Sequence, residues 1–108
     1  MEIFDRSKRF PSEERFSLTD QVRRSSRSVA ANLAEAWRKR RYAAAFVAKL
    51  CDAEAEAAEA QTWIELARRC RYVPDVDADH LDACYEELLA QIVHMATHPE
   101  DWVVGVRP

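Results

Sequence analysis

Two pairs of metal-binding side chains occur at helical spacing near the carboxyl end of the chain. His80 and Cys84 are four residues apart, as are His94 and His98, so each pair would share one face of a helix. Imidazole nitrogen and thiolate sulfur are both ligands of Zn²⁺. The sequence offers neither pair an evident third ligand, and His98 precedes Pro99, where a helix would end. We therefore expect no metal, and expect these histidines to pack or to lie favourably near a helix C-terminus.

Motifs for catalysis are missing from the sequence. It has no Ser/His/Asp arrangement, no GxGxxG and no Walker loop, and its single glycine makes a phosphate-binding loop almost impossible. Asp52, Glu56 and Glu59 would share one flank of a helix. However, no Glu-x-x-His pair is present to complete a carboxylate-bridged dimetal site. We expect a protein that is not an enzyme and that uses no cofactor and no small-molecule substrate.

The strongest chemical signal is a group of basic residues in one amphipathic stretch, Ser17 to Arg41. Seven basic residues stand there against two acids. They are Arg23, Arg24, Arg27, Arg38, Lys39, Arg40 and Arg41. Most of them fall within about 100° of one another on a helix, and no aromatic residue is expected among them. The favoured interpretation of this basic face is a solvated surface that pairs with acids elsewhere in the protein; the alternative is that it contacts the phosphates of RNA or another nucleic acid.

An acidic segment follows the basic one. From Val73 to Pro99 the chain has six acids and no lysine or arginine. Two oppositely charged helices suit each other inside a bundle or across a subunit contact, and the basic one also suits a polyanion.

Composition predicts an all-α protein. Its 108 residues fit one domain, and 48% hydrophobic with 32% charged residues is typical of a globular chain. One glycine among many alanines favours helices joined by short turns. Three cysteines without CxxC spacing argue against a disulfide framework. No apolar run approaches the roughly 20 residues of a membrane span, and no secretory signal is evident, so we expect a cytoplasmic protein without membrane association.

Hydrophobic periodicity predicts an antiparallel, up-down four-helix bundle with a shortened first helix. The predicted helices span about residues 2–9, 18–39, 42–72 and 78–97. In the third, apolar residues recur in steps of four and three from Phe46 to Ala67, as along the seam of a coiled coil. A shift of the apolar face places the turn between the second and third helices across Arg38 to Tyr42. Asp77 or Asp79 is the expected N-cap of the last helix.

The second and third helices carry several surfaces suited to packing. The apolar face of the second helix consists of Leu18, Val22, Val29, Leu33, Ala36 and Trp37. Small residues that would let another helix approach closely are Ser25, Ser26, Ala30, Ala31 and Ala34. On the third helix, Trp63, Leu66 and Cys70 form a second apolar patch, which we expect to contact another subunit. These features favour a homo-oligomeric assembly or partner-binding scaffold, with an RNA-binding protein as the alternative.

The chain also resembles a known family. The resemblance rests on Phe10–Pro11, E-R-F-x-L at 14–18, Q-V-R-R at 21–24, S-V-x-A-N-L-A-E at 28–35, R-x-x-x-x-x-F at 40–46 and R-Y-V at 71–73. These motifs are similar to those of the bacterial four-helix bundle family founded on the 23S rRNA intervening-sequence proteins. The resemblance implies a ring-like homo-oligomer, typically a pentamer. The family's biochemical role is poorly defined, and nucleic-acid binding is one role that the resemblance suggests.

The chain departs from the family pattern in its second helix and in its first helix, and each departure predicts a structural difference. The family usually has proline where this chain has Ala30 and glycine where it has Ala36. Because proline kinks a helix, we expect a straighter second helix, or a turn set elsewhere. The family's first helix is also longer than the predicted first helix of this chain. We therefore expect either that the start of this helix is truncated, or that another subunit fills the groove that a longer first helix would cover.

Overall fold

A computed structural model of the chain describes residues 2–8 and 18–104, and these residues form helices without any strand. The helices are α1 (Glu2–Ser7), α2 (Asp20–Arg38), α3 (Ala43–Arg69) and α4 (Asp75–Thr97), with a short 3₁₀ helix at Pro99–Asp101. The predicted all-α, four-helix architecture with a short first helix is confirmed. The Phe10–Pro11 motif and Ser17 lie outside the described residues. None of the described helices combines the length and apolar character needed to cross a membrane.

The central helix is α3, which packs against both α2 and α4. Its predicted seam is buried along its whole length. The seam consists of Phe46, Leu50, Ala53, Ala57, Ala60, Ile64 and Ala67, none more than 4% exposed. Four of these seven side chains are alanine, so the neighbouring helices can lie close to the α3 backbone. Within the described residues, α2 and α4 make no comparable direct contact with each other.

The apolar core consists of two clusters, one toward each end of α3. The first cluster contains Ile3, Leu18, Val22, Ile64, Ala67, Val73, Ala78 and Leu81. The second contains Ala36, Phe46, Leu50, Ala53 and Ile92. Helix α1 joins the first cluster through Ile3, while Trp102 and Val103, which follow α4, cover the second. Burying one large aliphatic side chain contributes about 1.5–3 kcal/mol, so both ends of the bundle are held by packing.

Short turns reverse the chain at both ends of α3. The first turn lies between Arg38 and Ala43, where the shift of the apolar face placed it. At the other end, the Tyr72 N–H donates to the Ala67 carbonyl at 2.9 Å, and Arg71 has a left-handed backbone with φ 62°. Such a 6→1 hydrogen bond across a left-handed residue is the Schellman helix ending. Its left-handed position is usually glycine, and here it is arginine.

The start of α4 differs from the prediction. Pro74 occupies the N-cap with φ −61° and ψ 149°, and neither Asp77 nor Asp79 caps the helix. Proline suits a helix start because its missing N–H would have no partner there. Asp75 and Asp77 then fall in the first turn, where a carboxylate is stabilised by the helix dipole. Asp77 also forms an ion pair of 2.8 Å with Arg6 of α1.

Candidate subunit interface and nucleic-acid surface

A second apolar stripe runs along α3, roughly opposite its buried seam. This α3 stripe consists of Ala44, Ala48, Cys51, Ala55, Ala58, Thr62 and Leu66, all exposed. Their spacing keeps them within about 80° of one another on the helix. Leu66 is 42% exposed despite its size. Since no charged residue lies within this arc between Ala44 and Leu66, the stripe is an uninterrupted small, mostly apolar surface.

The predicted subunit-contact residues lie in two different environments. Leu66 and Cys70 are exposed, and Leu66 ends the α3 stripe. Trp63 instead packs against the first core cluster, and its indole N–H donates to Glu59 Oε1 at 3.2 Å. The sequence prediction missed most of the stripe because isolated alanines give a weak hydrophobic signal. Their regular spacing, in steps of four and three, was the signal that could have revealed it.

The exposed side of α2 combines small residues with arginines. The predicted small-residue surface was Ser25, Ser26, Ala30, Ala31 and Ala34. Only the two serines are buried, whereas the three alanines are exposed. On the helix these alanines lie on the same side as Arg27 and Arg38. The exposed part of the predicted small-residue surface and part of the predicted basic face therefore coincide, and we call the combined surface the α2 alanine–arginine face.

Carboxylates border the α3 stripe, as arginines border the alanines of α2. Glu54 lies on one side of the stripe and Glu59 on the other, and both are half-buried. The two exposed small-residue surfaces of the molecule therefore have edges of opposite charge. Among the described residues, no ion pair joins a basic side chain of α2 to an acid of α3 or α4. Among the residues that the structure describes, the opposite charges of these two surfaces do not pair with each other.

The arginines nearer the start of α2 hold α1 in place. The guanidinium carbons of Arg23 and Arg27 lie 4.5 and 5.7 Å from the centre of the Phe4 ring. Arg23 Nε also donates to Ser7 Oγ at 2.7 Å. Cation–π contacts of this kind contribute about 0.5–1 kcal/mol each at exposed sites. Part of the predicted nucleic-acid surface therefore has an internal structural role.

The basic residues at the end of α2 surround exposed aromatic side chains. The guanidinium of Arg40 lies 3.7 Å from the centre of the Trp37 ring, and its Nε donates to the Trp37 carbonyl at 3.0 Å. Trp37 is 49% exposed and Tyr42 is 66% exposed. The adjoining open cleft is lined by Trp37, Arg38, Arg40, Arg41, Tyr42 and Val104. Lys39 is exposed beside it in the turn.

Trp37 therefore corrects two expectations. It was placed on the buried apolar face of α2, and no aromatic residue was expected among the arginines. Trp37 lies in the last turn of α2, at the margin of the buried side of that helix. The adjacent Ala36 is buried, and Trp37 borders a cavity with Phe46 and Leu50, but about half of its side chain remains exposed. The result is a surface that presents aromatic rings and cations together, as single-stranded nucleic-acid sites do.

Ion pairs outside these surfaces connect and stabilise the helices. Lys49 of α3 lies 2.6 Å from the Glu35 carboxylate of α2 and 3.8 Å from Asp52. The hydrogen bond and charge of Lys49 lower the pKa of Glu35, and the same hydrogen bond raises the pKa of Lys49. Arg24 pairs with Asp20 at 3.3 Å on the exposed surface of α2. An exposed ion pair of this kind contributes little to the free energy of folding.

The two pairs of metal-binding side chains have different surroundings. His94 and His98 stack on each other with 4.5 Å between ring centroids, and no third ligand group lies close to them in the part of the chain that the structure describes. His80 and Cys84 do have a third group, since Glu2 of α1 lies beside them. The expectation that neither pair has a third ligand is therefore wrong for His80 and Cys84.

Comparison with known proteins agrees with this architecture. A sequence profile of the family described as 23S rRNA-intervening sequence protein matches residues 1–94. The match covers α1, α2, α3 and most of α4. Among curated proteins, none matches the chain. With most of its length matched and four helices in place, the chain belongs to the 23S rRNA intervening-sequence protein family.

Proposed function

We propose that this protein is a non-enzymatic, homo-oligomeric scaffold whose copies associate head to tail. In this arrangement, the α2 alanine–arginine face of one copy packs on the α3 stripe of the next. The observation that carries the proposal is the exposed α3 stripe on the central helix of the bundle. A helix that is apolar on two opposite sides has its stable place between two neighbours, and α2 and α4 cover only one side of α3.

Side-chain size and charge both support a second copy as the occupant. Alanines on both surfaces would let two helix axes approach to about 8 Å. In a register that places Arg27 of one copy beside Glu54 of the next, opposite charges would meet at the edge of the contact. Opposite charges at the rim of an interface select the partner and fix its register.

The geometry of such a contact favours a ring. The two surfaces are different, so the contact is heterologous, and heterologous contacts form closed rings when the rotation between copies permits. Five copies is the number that the family resemblance suggests. A ring would also bring the clefts at Trp37 from several copies into one assembly.

Native mass spectrometry and light scattering at micromolar concentration test this proposal. We expect an oligomer for the unaltered chain, and for Ala55→Glu an association constant at least about tenfold lower, because the new charge would be buried without a partner. The matched control is Ala83→Glu, which places the same charge on an exposed position of α4 and should assemble normally. A monomeric unaltered chain, or equal assembly of both variants, would refute the proposal.

A charge exchange tests the register of the contact. Arg27→Glu and Glu54→Arg should each weaken assembly, because each places like charges on opposite sides of the same contact. The double variant restores opposite charges and should recover most of the assembly. If the double variant is no better than the worse single variant, the α2 face does not meet the α3 stripe.

A second function, binding of single-stranded RNA, is supported by the stacked Trp37 and Arg40 and by the exposed ring of Tyr42. Each base stacked on an aromatic side chain contributes about 1–3 kcal/mol. Fluorescence anisotropy with short labelled RNA should therefore show at least about fivefold weaker binding for Tyr42→Ala. Arg41→Ala should weaken binding and reduce its dependence on salt.

Arg24→Ala is the control for the RNA experiment, since Arg24 lies on α2 away from the cleft and pairs with Asp20. It should bind RNA almost as well as the unaltered chain. Absence of binding at low salt, or equal losses for Arg24→Ala and Arg41→Ala, would contradict a site at this cleft.

A further inference from the structure

Three potential metal ligands of different chemistry meet where α1 lies against α4. His80 Nε2 is 3.3 Å from Glu2 Oε1 and 3.8 Å from Cys84 Sγ. The three ligand atoms all lie within 4.8 Å of one another. One imidazole nitrogen therefore faces both the carboxylate and the thiol. The sequence could not show this group, because Glu2 is far from His80 along the chain.

The two separations that involve His80 are close to those of a tetrahedral zinc centre. Zinc lies about 2.0 Å from nitrogen or oxygen ligands and about 2.3 Å from sulfur. Tetrahedral angles then require about 3.3 Å between the nitrogen and oxygen ligands, and about 3.5 Å between nitrogen and sulfur. The observed distances are 3.3 and 3.8 Å. The third separation, between the Glu2 and Cys84 ligand atoms, is within 4.8 Å, whereas tetrahedral angles require about 3.5 Å. Closing the site therefore requires these two exposed side chains to approach each other by up to about 1.3 Å.

The chemistry of the ligands selects the ion. A thiolate and an imidazole favour a borderline-soft ion such as Zn²⁺ over Mg²⁺ or Ca²⁺, which prefer oxygen ligands. The charges of one carboxylate and one thiolate balance the charge of Zn²⁺. Glu2 and His80 each have 54% of their side chain exposed, so the ion can enter from solvent and water can provide the fourth ligand.

We propose that Glu2, His80 and Cys84 form a Zn²⁺ site that fastens α1 to α4. Helix α1 has only six residues and is too short to be stable without tertiary contacts. Its other described charge contact with α4 is the ion pair between Arg6 and Asp77. Zinc would add a coordinate link one to two helical turns further along α4, at His80 and Cys84. The site shares no residue with the α3 stripe or the Trp37 cleft, so the inference does not rest on the proposed function.

Titration of the reduced, metal-free full chain with Zn²⁺ and Co²⁺ tests the site. We expect one ion per chain, and with Co²⁺ an absorption band that reports a thiolate ligand in tetrahedral geometry. Cys84→Ser and His80→Ala should each weaken binding by at least the ~10–100-fold that losing even an outer-shell partner of a ligand costs. Glu2→Gln should weaken it as well, and Zn²⁺ should slow amide exchange in α1.

Matched controls are available in the same chain. Cys70→Ser removes another exposed cysteine, and His94→Ala removes one histidine of the other pair; both variants should bind Zn²⁺ normally. The proposal is overturned if the unaltered chain binds no Zn²⁺ at micromolar concentration. It is also overturned if Cys84→Ser and His80→Ala bind as tightly as the controls, which would leave an ordinary contact between His80 and Glu2.

Discussion

Replacing Ala57 with leucine should destabilise the bundle severely, because Ala57 has no exposed surface on the central helix. Its neighbours in the seam, Ala53 and Ala60, are also fully buried, so no adjacent space can accept the added carbon atoms. Overpacking of a well-packed core costs about 1–3 kcal/mol. We expect the upper part of that range, since α2 and α4 both pack on the seam side of α3 and both would have to move.

Thermal unfolding followed by circular dichroism measures this effect. A loss of 1–3 kcal/mol corresponds to a fall in Tm of about 4–20 °C for a domain of this size. The control is Ala83→Leu, at an exposed position of α4, which should change the stability by no more than about 0.5 kcal/mol. Protein concentration must be equal throughout, because association also raises Tm. If Ala57→Leu has the same Tm as the Ala83→Leu control, close packing along the α3 seam is not what holds the helices together.

Three further predictions concern single positions. Arg71→Gly should raise Tm, because a left-handed backbone costs a non-glycine residue about 1 kcal/mol, only partly offset by the entropy of glycine. Because Lys49 lowers the pKa of Glu35 below its ordinary value of 4.5, the Glu35–Lys49 pair should contribute fully to stability above pH 4.5. This contribution should be lost as the pH falls and Glu35 becomes protonated. Glu35→Gln should therefore make Tm less dependent on pH below 4.5. Arg23→Met should speed amide exchange in α1, because it removes the cation from Phe4; unchanged exchange would show that this contact does not hold α1.

The buried side of α3 was predictable residue by residue. Steps of four and three define one line along a helix, and every member of the predicted seam from Phe46 to Ala67 is buried. Helix α2 was harder, since its small residues spread around much of the helix. Periodicity shows which residues share a side, but not how many neighbours cover that side. The pattern therefore suggested close packing at Ala30 and Ala34, whereas the structure shows both residues exposed.

Three features of the structure were not predictable from periodicity. The start of α4 at Asp75 follows from Pro74, whose effect competed with two plausible aspartate caps nearby. Trp37 lies at the margin of the buried side of α2, and helical periodicity does not show how far the neighbouring helices extend over that margin. The approach of Glu2 to His80 requires the packing of α1 on α4, and nothing local in either segment encodes it.

The central place of α3 has a consequence for the rate of folding. Its two main partners are its neighbours in sequence, joined to it by short turns, and chains dominated by such local contacts fold in microseconds to milliseconds. Both helical hairpins require α3, so it belongs to whichever pair forms first. Substitutions in its seam should therefore slow folding, whereas substitutions in α4 should chiefly accelerate unfolding. Stopped-flow measurements on the two kinds of variant would distinguish the helix that starts the fold from the helices that complete it.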